Sequence, residues 1–228
     1  MKGLFNADNP VMQFLSRTAD LIILNICFLI GCIPLITIGT SLTALYSVSL
    51  KMVRNEEGGI ISGFWKAWRS NFRQSTAAWL LTLLAGAFLG FEYSMIMQMT
   101  GALRSFFFVI WLLTSFVIAA GIWYLFPYMA RFEDRLPVCI ANAFRFSVLH
   151  ILYTAASLVI LGIFAAFSFW TPAVFGWMLL FWLMIGFALA AYAHSYSVRS
   201  FFEPFENKPE NEEGMPAGGD EETWPMKE

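Results

Sequence analysis

Long apolar stretches alternate with short basic connections along nearly the whole chain from Asp20 to Tyr196. A helix of about 20 apolar residues crosses the hydrocarbon core of a bilayer, and lipid tolerates no backbone with open hydrogen-bonding groups. Four or five such runs are incompatible with a soluble fold. They predict an all-α membrane protein, a bundle of about five transmembrane helices. The first span begins at Asp20 with LIILNICFLIGCIPLITIGT and continues through Ser41–Val53 towards Lys51 and Arg54. Pro34 lacks a backbone donor and its ring clashes with the preceding turn, so this span is expected to be kinked or broken near Pro34–Gly39. The other spans are expected at about 76–97, 105–128, 148–169 and 173–193. A rival reading turns residues 20–50 into a hairpin of two half-helices, which moves the N-terminus to the other side of the membrane.

The connections carry the charge. The 51–75 stretch holds Lys51, Arg54, Lys66, Arg69 and Arg73, with Phe64, Trp65, Trp68 and Phe72 interleaved as in a short interfacial helix. The 129–147 stretch holds Arg131, Arg135 and Arg145, whereas the 98–104 turn has only Arg104. By the positive-inside rule both basic connections, and the tail after the last span, are cytoplasmic. Residues 1–19 form an N-terminal segment too polar for a cleaved signal peptide. Residues 20–202 form the membrane domain. Residues 203–228 carry nine acids against Lys208 and Lys227 and have little to bury, so a disordered acidic tail is expected. Charged residues make up 13% of the chain, about half the usual share in soluble domains.

Two short matches lie 77 and 76 residues apart. Met52-Val-Arg54-Asn-Glu56-Glu57 is similar to Met129-Ala-Arg131-Phe-Glu133-Asp134, and Ala67-Trp68-Arg69 to Ala143-Phe144-Arg145. Each copy follows one span and precedes the next, as in a parallel internal repeat.

Charge and polarity within apolar runs mark candidate sites. Glu92 is either an ion-coupled group facing a cavity or an interfacial carboxylate beside Tyr93, or one paired with Arg104. Asn25 and the Thr37–Ser41 stretch either bind a solute at a broken helix or hydrogen-bond between packed helices. Arg54, Glu56, Glu57, Arg131, Glu133, Asp134 and Arg135 form two charged clusters on one membrane face. Arg145 stands in the second connection. They either dock a partner or pair with each other and with anionic headgroups. His150 and His194 have no ligand partner at metal-binding spacing, and Cys27, Cys32 and Cys139 form no CxxC. No nucleophile elbow, zinc-protease, P-loop or dinucleotide signature occurs, so neither enzymatic activity nor a metal or cofactor is expected. Aromatics beside basic residues abut spans, which points to the lipid bilayer and away from nucleic acid.

The segments MKGLFNADNPVMQFL, ADLIILN ending at Asn25, IPLITIGTSLTALY ending at Tyr46, and KMVRNEEG over 51–58 resemble the YesL-like family of bacterial membrane proteins, whose function is unknown. The resemblance is most specific over about residues 1–75. It implies a multi-span protein of the plasma membrane whose gene lies beside genes for carbohydrate uptake and polysaccharide degradation. The implied partners are permease subunits of an ABC transporter. Asn25, Pro34, Thr37, Gly39 and Tyr46 are the positions it singles out. On this basis the chain is expected to be a non-enzymatic accessory protein of carbohydrate uptake. The alternative is a small-solute transporter or exporter in its own right.

Overall fold

The computed structural model describes residues 10–56 and 58–206. The expected disordered tail falls, beyond Glu206, outside the described residues. So do residues 1–9 of the N-terminal segment, whereas helix α1 (Pro10–Gly31) begins well before the span start expected at Asp20. Proline suits a first helical position, where its missing N–H would have no partner.

The break at Pro34 is complete. Pro34 is extended (φ −78°, ψ 118°), a single 3₁₀ turn follows at Leu35–Thr37, and α2 (Ile38–Arg54) starts anew. The Thr37 hydroxyl lies 2.7 Å from the carbonyl oxygens of both Gly31 and Pro34, so its one proton serves acceptors left over where α1 ends. The two helices then run side by side in opposite directions. A Cβ on Gly31 would stand 2.6 Å from Ser41 Oγ. At the other end Arg17 donates to Asn55 Oδ1 at 2.6 Å. Asn55 caps α2 in the left-handed region (φ 55°), which asparagine tolerates.

Five spans therefore become six. The described residues include six helical stretches long and apolar enough to cross a membrane: Val11–Gly31, Leu35–Arg54, Phe72–Gln98, Gly101–Arg131, Ile151–Ser168 and Pro172–Phe202. This is the architecture of a multi-pass membrane protein. The five-span expectation failed because α2 is rich in small polar residues. Gly39, Thr40, Ser41, Thr43 and Ser49 lower its hydropathy to the edge of a span, yet all are buried. Close helix approach through small residues is the usual packing in membranes. Thr43 accepts from Ser75 at 2.9 Å, and the Thr40 and Thr76 hydroxyls are 3.0 Å apart.

The remaining elements are α3 (Ile60–Ser70), α4 (Phe72–Gln98), α5 (Gly101–Arg131), α6 (Leu136–Leu149), α7 (Ile151–Ser168), α8 (Pro172–Phe181) and α9 (Phe187–Glu206). A single π turn at Trp182–Gly186 joins α8 to α9, so the last span is one interrupted helix. Two buried clusters form the core. One gathers Leu21, Leu24, Phe28, Leu45, Met52, Phe64 and Ala188; the other gathers Tyr124, Phe126, Tyr128, Phe146, Val198 and Phe202. Both draw on α9, which packs on α2 and α5. Side chains such as Leu84, Phe88, Leu113, Ile160 and Leu180 face outwards, as lipid contact requires. The two sequence matches occupy corresponding places, beginning in the last turns of α2 and α5 and lying within α3 and α6.

Candidate functional site

The charged connections converge. A polar cavity of about 600 Å³ is lined by Ser47 and Lys51 of α2, Lys66 and Ser70 of α3, Asn71 and Gln74 at the start of α4, and Met129–Glu133 at the end of α5. Three cations, Lys51, Lys66 and Arg131, face it against one carboxylate, Glu133. The local excess of positive charge attracts anions, and the amide and hydroxyl groups supply neutral hydrogen-bonding partners.

Local chemistry fixes the walls. Asn71 breaks the helix between α3 and α4 (φ −96°, ψ 2°), so Lys66 and Gln74 are carried by two helices that meet at an angle. Gln74 Nε2 donates to the Asp134 carbonyl oxygen at 2.6 Å and holds the turn that follows Arg131. Tyr128 donates to Asp134 Oδ2 at 2.5 Å and accepts from Asn142 Nδ2 at 2.7 Å, and Arg145 donates to Asn142 Oδ1 at 3.3 Å. Arg145 thus acts through a relay that orients Asp134. Cys139 sits beneath this turn, where burial pushes its thiol up to about 11. It is a neutral packing group that donates to the Asp134 carbonyl oxygen at 3.3 Å. His150 stacks on Phe201 with ring centroids 3.7 Å apart, and burial lowers its pKa.

The candidates from the sequence separate into distinct places. Arg131 and Glu133 line the cavity, whereas Arg54 and Glu56 stand at the end of α2 outside its lining. Glu57 and the lower tail lie outside the described residues. Pro34 and Thr37 make the α1–α2 turn. Gly39 permits a close crossing, because a Cβ there would come within 2.5 Å of Trp79 Cβ and 2.7 Å of the Ser75 carbonyl oxygen. Glu92 lines a separate groove of about 170 Å³ with Met95, Ile96 and Trp111, and Arg104 turns to Met97 Sδ at 3.1 Å. No group of three or more His, Cys, Asp or Glu is placed to hold a metal ion among the described residues.

Asn25 hydrogen-bonds between packed helices, one of the two readings open in the sequence, but to partners that the sequence did not reveal. Its side chain is fully buried, Nδ2 donates to the carbonyl oxygens of Trp182 (3.1 Å) and Leu183 (2.8 Å), and Oδ1 accepts from Ala188 N–H (3.0 Å). These are the backbone groups that a π turn displaces from the regular ladder. Tyr46 packs towards α9, with its hydroxyl 3.0 Å from His194 Nδ1. His194 is only 4% exposed and meets Trp123, Tyr124 and Tyr153 as well. The sequence singled out Tyr46 and His194 separately but did not join them, because the cluster's members lie on four helices with no shared motif.

No curated protein and no solved structure matches the chain. Over residues 21–93, from α1 into α4, the chain matches the model of a family described as proteins of unknown function, DUF624.

Proposed function

We propose that the chain is a non-enzymatic accessory protein of carbohydrate uptake by an ABC-type transporter, and that its basic face binds an acidic cytoplasmic segment of the permease. The observation behind this reading is the convergence of both charged connections on one polar cavity. With six crossings the α1 start, both connections and the α9 end share one side. That side holds Arg17, Lys51, Arg54, Lys66, Arg69, Arg73, Arg131, Arg135, Arg145 and Arg199, whereas the opposite turns hold Arg104. The positive-inside rule makes the basic side cytoplasmic in a plasma membrane. The YesL-like resemblance supplies the carbohydrate context.

Independent transport has less behind it. Pro34, Thr37 and Gly39 are used in a turn and a helix crossing, and Glu92 shares no lining residue with the basic cavity. Deleting the gene and measuring uptake of labelled oligosaccharides tests the proposal. Reduced uptake, restored by the wild-type chain and not by Lys51→Glu/Lys66→Glu, is the expected result. Undiminished uptake of every oligosaccharide tried would overturn it.

A further inference from the structure

A second cavity opens sideways between α5, α7 and the α8–α9 helix. It measures about 530 Å³, within the usual range of small-molecule sites, and its walls are almost wholly apolar. Ile160, Leu189 and Phe164 form its outer edge and are themselves partly exposed on the lipid-facing surface. At its inner end stand two buried polar atoms without partners, Trp123 Nε1 and His194 Nε2. Buried polar groups are nearly always paired, so two orphans in one cavity point to a ligand that pairs with both.

Both orphans are donors. The indole N–H can only donate. The Tyr46 hydroxyl lies 3.0 Å from His194 Nδ1 and meets no other acceptor among the described residues; with its proton given to Nδ1, the neutral imidazole carries its own proton on Nε2. The two rings are adjacent, with centroids 4.5 Å apart. Two N–H groups on adjacent rings that line an apolar chamber suit a neutral acceptor such as a carbonyl oxygen. The cavity contains no cationic side chain that would suit an anionic headgroup.

The chamber has the shape of a chain site. Tyr153, the third residue of α7, marks the donor end, and Phe164 and Phe181 mark the far end. Eleven residues of helix from Tyr153 to Phe164 span about 16 Å. The donor end lies near the start of α7, on the side of the basic connections. The π turn shapes the floor. It places Trp182 across Gly186, where a Cβ would come within 2.6 Å of the indole, and Asn25 holds the turn from behind.

We propose that this cavity binds a diacyl lipid of the leaflet facing the basic connections, with an ester carbonyl oxygen accepting from Trp123 Nε1 and His194 Nε2. One acyl chain runs between α7 and α8–α9. The proposal does not rest on the accessory reading, since a lipid site there is compatible with any function of the basic face.

Photo-crosslinking tests it. The full chain is reconstituted in vesicles of phosphatidylethanolamine and phosphatidylglycerol containing a phosphatidylethanolamine with a diazirine near the end of one acyl chain. Crosslinks are mapped by mass spectrometry. The wild-type chain is expected to label at Ile160–Phe164 and Phe181–Leu189 well above the open lipid face of α4 at Leu80–Phe88. Ala190→Phe fills the cavity from its exposed side without removing a core contact, and cavity labelling should fall to the level of the α4 face. Trp123→Phe with His194→Phe removes both donors, which predicts about a tenfold drop in cavity labelling with α4 unchanged. Labelling of the cavity no stronger than α4, or unaltered by Ala190→Phe, would overturn the proposal. So would displacement of the probe by a tailed quinone at concentrations where unlabelled diacyl lipid fails to compete.

Discussion

Replacing Asn25 by Leu tests the link between the first helix and the irregular last span. The substitution keeps volume and burial but leaves the carbonyl oxygens of Trp182 and Leu183 and the N–H of Ala188 without the amide that pairs with them. Hydrogen bonds between helices in membranes average about 0.6 kcal/mol, so three give about 2 kcal/mol as a lower bound. Leaving buried groups unsatisfied costs about 1–3 kcal/mol each, which raises the upper bound to several kcal/mol. A loss of about 2–4 kcal/mol in reversible unfolding from mixed micelles is expected, with Asn25→Asp no better, because a carboxylate cannot donate to the two carbonyls. The reasoning makes a second demand. A π turn is one residue more than an α-helix needs. Deleting Met184 should therefore restore the regular ladder. It rotates α8, which has no buried residue and tolerates rotation at little cost. In the deletion background Asn25→Leu should lose much less than in the wild type, a non-additivity of about 1–2 kcal/mol. Loss under about 0.5 kcal/mol for Asn25→Leu alone, or strict additivity with the deletion, would refute the clamp.

Gly39→Ala should destabilise by about 1–3 kcal/mol through overpacking against Trp79 and the Ser75 carbonyl, read as a drop in thermal midpoint; Gly162→Ala, with open space around it, should not. Cys139, its thiol pushed up to about 11 from 9.0, holds about a hundredfold less thiolate than a free cysteine at pH 8. Its alkylation should be correspondingly slower than that of a cysteine placed at Ser70, with the rate still rising above pH 9; equal rates at pH 8 would count against its burial. A raised thiol pKa stabilises the folded state most below the unfolded value near 9, so this group's contribution should fade as pH rises from about 9 to 11 and show no change below pH 8. Single cysteines at Gln13 and Gly59 should react with an impermeant maleimide from the same side of the membrane, and one at Gly101 from the other. Labelling of Gln13 together with Gly101 would contradict six crossings.

Much of the architecture was legible because hydrophobic length and basic connections are direct consequences of the bilayer. The spans α4, α5 and α7 and the interfacial α3 fall close to where the pattern places them. The break at Pro34 was legible too, but the pattern left its consequence open between a kinked span and a hairpin. Whether a proline kinks a helix or reverses the chain depends on what the freed groups find, and here Thr37 and the Gly31–Ser41 approach settle it. The small polar face of α2 disguised a buried span as the tail of the first. For the site, Arg131 and Glu133 were legible as charged positions, while Lys66 and Gln74 join them through the bend at Asn71, which has no strong signature. The π turn was invisible, since an extra residue in an apolar run leaves the composition unchanged. Asn25 stood out as polar in lipid, yet its partners are backbone groups more than 150 residues away.

The accessory reading depends on whether the basic cavity holds another protein. The most direct measurement is purification of the tagged full chain from its native membrane in mild detergent, with mass spectrometry of what accompanies it, for wild type and Lys51→Glu/Lys66→Glu in parallel. Near-stoichiometric recovery of a sugar-transporter permease with the wild type, and its loss from an equally abundant variant, is the predicted result. Recovery of the chain alone in both cases, or with its own acidic tail crosslinked to Lys51 and Lys66, would contradict it.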